Sequence, residues 1–194
     1  MQMAGSQRLP QRITNKQVGL WVATASFGML FGTLLLSFLL LRSRAPVWPP
    51  LGAEPLDPLL PTLATLVLLL SSVYLHFAPE KLAGGDARGF AVFWKTGTLL
   101  GLSFMALQVV FLGQLFLQGV YMGSNLLAAS TYTFIALHAL HLLGAWGALA
   151  WIWRGYARGR YQAATDAENP RLAAWFWHFL DLVWVLTYLL LVWL

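Results

Sequence analysis

The sequence contains no cysteine. That absence removes disulfides, thiolate metal sites, covalently attached c-type haem and a dithiolate copper centre in one step. Charge is scarce as well: charged residues make up 10% of the 194, against 59% hydrophobic residues and ten tryptophans. A soluble domain of this size cannot hide so much apolar surface, whereas a membrane protein displays it to lipid. Repeats and low-complexity tracts are missing too. The net charge of +5 is no nucleic-acid footprint in so apolar a chain, and no nucleic acid is expected as a partner. The basic residues read as anchors at the membrane surface. The first apolar run is longer than a signal-peptide core and continues straight into a polar loop, so no cleavable signal is expected.

What is present is a set of long apolar runs. The most informative is 173–194, AAWFWHFLDLVWVLTYLLLVWL, with a single carboxylate in its interior. At about 1.5 Å per residue it crosses a hydrocarbon core of about 30 Å. Four further spans precede it. Residues 20–41 carry no charge, and 42–58 hold five prolines, too many for a helix. A second span covers about 59–78, followed by a charged loop (79–93) around Gly84-Gly85. From Thr96 to Trp153 there is no formal charge, and the turn-forming Gly119, Tyr121, Gly123, Ser124 and Asn125 split the run into helices of about 94–118 and 129–153. Asn169-Pro170 suits the cap and first turn of the fifth helix, 173–194. The expected fold is an all-α bundle of five transmembrane helices (20–194) behind a polar N-terminal tail (1–19). Ten Lys/Arg fall on the side of the tail, against Arg42 and Arg44 on the other. The positive-inside rule then places the N-terminus in the cytoplasm and the C-terminus outside. Arg42 and Arg154, at span ends, are candidates for contact with lipid headgroups.

The polar groups inside the spans are few. His178, Asp181 and Tyr188 share one side of the fifth helix, flanked by Trp177 and Trp184. A carboxylate this deep costs roughly 3 kcal/mol unless it meets a partner inside protein. The topology puts His178 and Asp181 roughly 8 and 12 Å in from the cytoplasmic boundary, near His76 at the end of the second helix. His76 or His178 is therefore the expected partner of Asp181. His138 and His141 lie three apart on the fourth helix, and Gln108 is a further hydrogen-bonding group. Gly28 with Gly32, and Gly97 with Gly101, are small-xxx-small pairs that let helices approach. Buried His and Asp in a helix bundle serve more often as structural glue than as ligands. Four histidines are too few for a haem–copper centre plus a second haem. The residues alone leave open a single b-type haem between His76 and His178, or a transporter with Asp181 as proton carrier. The second reading lacks an inverted repeat or a helix broken at mid-membrane.

One segment is specific. WFWHFLDLVW (175–184) resembles the Tyr/Phe-Trp-His-Phe-x-Asp-x-Val-Trp signature that ends subunit III of haem–copper terminal oxidases. GLWVATASFGMLFG (19–32) is similar to the first helix of the five-helix bacterial form, and LLLSSVYLHFA (68–78) to its Ser-Ser-x-x-x-His-x-Ala segment. LLGLSFMALQ (99–108) and LHALHLLG (137–144) resemble its Gly-x-x-Phe-x-x-x-Gln and His-Gly-x-His segments. The resemblance runs over about 17–194. It implies a non-catalytic subunit that binds no redox cofactor, with haem and copper in its partners, the catalytic subunit I and subunit II. It further implies bound phospholipids, a bacterial cytoplasmic membrane, and a role in keeping the catalytic subunit durable and its proton uptake sustained. A paralogous subunit of nitric oxide reductases is the neighbouring alternative. His76, His138, His141, His178 and Asp181 match the family by position. Phe27 and Phe111 stand where the family often has carboxylates, so no role of those groups carries over.

Overall fold

The computed structural model describes residues 14–48, 57–161 and 164–192. It consists of five long helices, α1 (Asn15–Arg44), α2 (Leu59–Ala83), α3 (Ala87–Leu117), α4 (Leu126–Ala157) and α5 (Glu168–Val192), with a short 3₁₀ turn at Ala164–Ala167. All five are long and apolar enough to cross a membrane. Three of the five prolines of 42–58 (Pro49, Pro50, Pro55) and two of the ten basic residues (Arg8, Arg12) lie outside the described residues.

Side-chain caps mark three of the starts. Thr14 accepts from the Gln17 backbone N–H while Gln17 reaches back to the Thr14 N–H, a reciprocal capping box. Asp86 caps α3 on the Gly89 N–H and Asn125 caps α4 on the Ala128 N–H. The helices extend further than their apolar cores suggest. The segment 79–93 is not a loop: α2 continues through Pro79 to Ala83, and α3 begins at Ala87. Proline there removes the bond to the carbonyl four residues back, but the buried ring sits one turn from the helix end, where little continuation is lost. The actual turn is Gly84–Asp86. Gly85, at φ 81°, takes the left-handed conformation that lets its N–H reach Leu82 O and the Asp86 N–H reach Lys81 O. Asp86 thus closes α2 and opens α3. Asn169 is likewise not a cap. α5 starts at Glu168 directly after the 3₁₀ turn, and the Asn169 side chain accepts from Lys16 Nζ at 3.0 Å.

α2 packs most extensively on α3, and α5 fills the space between α2 and α4. α1 lies against α5. The main core runs through α2–α5 around Trp94, Phe104, Trp177 and Trp184. A second, smaller core (Phe31, Phe38, Leu127, Phe134, Val183, Leu190) seats α1. One end of the bundle is tied by Thr14 donating to Glu168 (2.8 Å) and by the Trp94 indole donating to Leu149 O (3.2 Å). At that end the buried Tyr161 folds back over Gly155 and Phe90, and burial pushes its phenol pKa up.

Candidate functional site

α2 and α5 run antiparallel and meet along a seam that carries a polar contact at nearly every turn. Near the α2 start, the hydroxyls of Thr62 and Tyr188 lie 2.7 Å apart. One turn on, the Trp184 indole donates to Thr65 at 3.0 Å. Ser72 hydrogen-bonds His178 Nδ1, and the His178 and His76 rings meet at 5.5 Å. At the far end Arg171 pairs with Glu80 at 3.2 Å. The seam follows from sequence: Thr62, Thr65, Ser72, His76 and Glu80 recur at three, four or seven residues, one stripe of a helix.

Asp181 sits inside this seam, 4% exposed, in the register between the Thr65 and Ser72 contacts. Its Oδ2 is 3.8 Å from His178 Nδ1, beyond hydrogen-bond distance, and neither oxygen has a hydrogen-bond partner among the described residues. His178 neighbours both Asp181, at 3.8 Å, and the His76 ring, at 5.5 Å. His76 itself is exposed, against Phe77 and His178. Direct ring contact at a 48° tilt, with one His178 nitrogen engaged by Ser72, is the geometry of packed side chains. Two axial haem ligands would instead aim their nitrogens at each other across the iron.

His138 and His141 take different surroundings despite their spacing. His138 is 2% exposed, ringed by Phe31, Phe104 and Trp184, with both nitrogens unpartnered. His141 turns toward α1, its Nδ1–H donating to Leu137 O at 2.6 Å. Phe27 meets the His141 ring edge-on at 4.4 Å, and Phe31 does so at 5.2 Å. The position where the family often has a carboxylate is therefore an aromatic packing contact. Gln108 is buried, and its amide has no partner among the described residues.

The glycines divide. A Cβ on Gly97 would come within 2.7 Å of the Leu75 side chain and 3.1 Å of Ser71 O, and Ser71 donates to the Gly97 carbonyl at 2.7 Å. A Cβ on Gly101 would meet the buried Trp177 ring at 2.6 Å. Gly28 makes only ordinary contact with Phe179, and Gly32 faces open space. Arg42 lies over Trp48 at 5.4 Å, and Arg154 is exposed in the last turn of α4. A groove of about 470 Å³ opens between α1, α4 and α5, lined by Leu20, Trp151, Ile152, Leu172 and Phe176 with Lys16 at its rim. Among the described residues no group of three or more His, Asp or Glu is placed to hold a metal ion.

Sequence reasoning missed Trp184–Thr65, Thr62–Tyr188 and Trp94–Leu149. The hydroxyl stripe of α2 was a visible signal for the first two. The third, an indole donating to a backbone carbonyl, has none.

The model of the cytochrome c oxidase subunit III family matches residues 17–194, all but the first two residues of the five-helix bundle. Cytochrome c oxidase subunit 3 of Thermostichus vulcanus is 31% identical over 175 residues, covering 90% of this chain and 85% of that protein. The protein of the same name from Bacillus subtilis is 29% identical over 183 residues, covering 91% and 86%. That of Xenopus laevis is 33% identical over 150 residues, but this chain spans only 55% of its length. With the profile running from the first span through the Trp-His-Phe-x-Asp segment of the last, the chain belongs to the cytochrome c oxidase subunit III family.

Proposed function

We infer that this chain is the non-catalytic subunit III of a haem–copper oxidase, holding a catalytic partner in the membrane during oxygen reduction. The family match across all five spans carries the reading. The residues agree with it: four histidines, no cysteine, and a polar seam whose members bond one another rather than converge on a reaction centre. Haem and copper belong in this reading to the catalytic subunit I and subunit II. The chain's part is to keep that unit durable and its proton uptake sustained. The membrane is the bacterial cytoplasmic membrane, with the N-terminus inside. Phospholipid fits the α1–α4–α5 groove, whose apolar walls suit an acyl chain and whose Lys16 rim suits a phosphate.

Affinity purification of the tagged chain from native membranes in mild detergent tests this. The expected product is a complex with the Soret absorbance of a haem-bearing partner and oxygen-reducing activity, both absent from the chain alone. Oxygen reduction by the isolated chain, or a preparation without any haem–copper partner, would overturn it. A partner that reduces nitric oxide instead would move the chain to that neighbouring class.

A further inference from the structure

Besides Asp181 and the indoles of Trp146 and Trp177, two polar side chains on α3 and α4 have every side-chain polar atom enclosed and unpaired among the described residues. They are Gln108 on α3, with its amide nitrogen and oxygen, and His138 on α4, with both ring nitrogens. Native interiors pair nearly all such groups, and hydrocarbon around a bundle supplies no partner from outside. The aromatic rings around His138 supply none from inside. The rings around His138 are Phe31, Phe104 and Trp184, and the Trp184 indole N–H is already engaged by Thr65. The buried hydroxyls of Thr131 and Thr187 each bond a carbonyl of their own helix.

Helix register and the usual tilt of helical side chains direct the two toward a common level. α3 and α4 run antiparallel, matched by Trp94 on Leu149 and by Phe104 against His138 at 6.2 Å. Gln108 lies one turn beyond Phe104, so it sits past the level of His138. Helical side chains tilt toward the N-terminus of their own helix. Gln108 therefore leans back along α3 toward the level of Phe104, and His138 leans along α4 toward the level of Gln108. The chemistry of the pair is mixed: a neutral imidazole presents one donor and one acceptor, and an amide presents both as well. A cation would need acceptors only and an anion donors only. Water, with about three hydrogen bonds of both kinds per buried molecule, matches.

We propose that Gln108 and His138 form an internal water-binding site that bridges α3 and α4. These two helices pack on each other far less than α2 on α3, and among the described residues Trp94–Leu149 is the side-chain hydrogen bond between them. The site adds a second tie deeper in the bundle.

A density map of the intact complex, at a resolution that shows ordered water, is expected to place solvent within about 3 Å of both side chains. The variants Gln108→Leu, His138→Leu and the double variant supply an independent readout, the fraction of haem-bearing complex that survives mild heating in detergent. Each single variant is expected to lower it, because the remaining side chain loses its bridge. The double variant is expected to lose less than the two single losses combined, because nothing is left orphaned. A map with both side chains dry, a direct Gln108–His138 hydrogen bond, or strictly additive losses would overturn the proposal.

Discussion

A methyl group is enough to separate the glycines of this bundle. At Gly97 it would press on Leu75 and the Ser71 backbone, and at Gly101 on a Trp177 ring with no exposure and nowhere to move. Gly97→Ala and Gly101→Ala are each expected to destabilise by about 1–3 kcal/mol through overpacking. Gly32→Ala, with open space around it, is expected to cost nothing measurable. Thermal loss of folded chain in detergent compares them, and a Gly32→Ala variant as damaged as Gly101→Ala would show that the close approach is not the cause. The same reasoning ranks His178 against Asp181. His178→Leu deprives Ser72 of its bond and leaves Asp181 without the one imidazole near it, at a cost of roughly 1–3 kcal/mol. Asp181→Leu removes two unpartnered oxygens and is expected to be mild. The yield of intact complex from each variant decides the order. If both assembled fully and proton uptake nevertheless stopped, Asp181 would be a proton carrier instead.

Along α2 and α5 the polar contacts differ in value because they differ in depth. Trp184–Thr65 is buried, so Trp184→Phe removes a hydrogen bond worth about 1 kcal/mol and leaves a cavity where the larger indole packed. Arg171–Glu80 is about half exposed on both sides, so Glu80→Gln is expected to change stability by less than about 1 kcal/mol, and less still in high salt. Heat dissociation in low and high salt separates them, and a Glu80→Gln variant weaker than Trp184→Phe would contradict this ranking by depth. The existence of five spans was legible in the sequence, because an uncharged run of membrane length admits few other readings. So were the residues that end helices, Gly84-Gly85 and Asn125. Helix ends were less legible. Lys81 and Arg88 read as loop residues, yet they lie on α2 and α3, where long basic side chains can reach the surface from within a helix. The seam was legible only as a stripe on each helix. Which rung meets which depends on the register between α2 and α5, and that is set by packing around Gly97, Gly101 and Trp177, not by the stripes themselves. The different fates of His138 and His141 were not legible at all, since a spacing of three does not say which neighbour each ring meets.

For the whole molecule the decisive quantity is where the charge lies. Each odd-numbered helix runs one way across the bundle and each even-numbered helix the other. The start of α1, the α2–α3 turn and the α4–α5 connection therefore share one end, tied by Thr14–Glu168 and Glu80–Arg171. That end carries Lys16, Lys81, Arg88, Arg154, Arg158, Arg160 and Arg171, and the opposite end Arg42 and Arg44. Lys and Arg are retained on the cytoplasmic side during insertion, so this end, with the N-terminus, is expected to face the cytoplasm. The absence of cysteine makes the test direct, because a single introduced thiol is the only one present. Arg44→Cys and Arg158→Cys both fall at exposed positions just past or at the end of a span. Intact cells treated with a membrane-impermeant maleimide are expected to label the Arg44→Cys chain and to spare the Arg158→Cys chain until the membrane is opened. The reverse pattern would invert the bundle and place the N-terminus outside. Labelling of both chains in sealed cells would mean that the ten-to-two charge imbalance does not control insertion here.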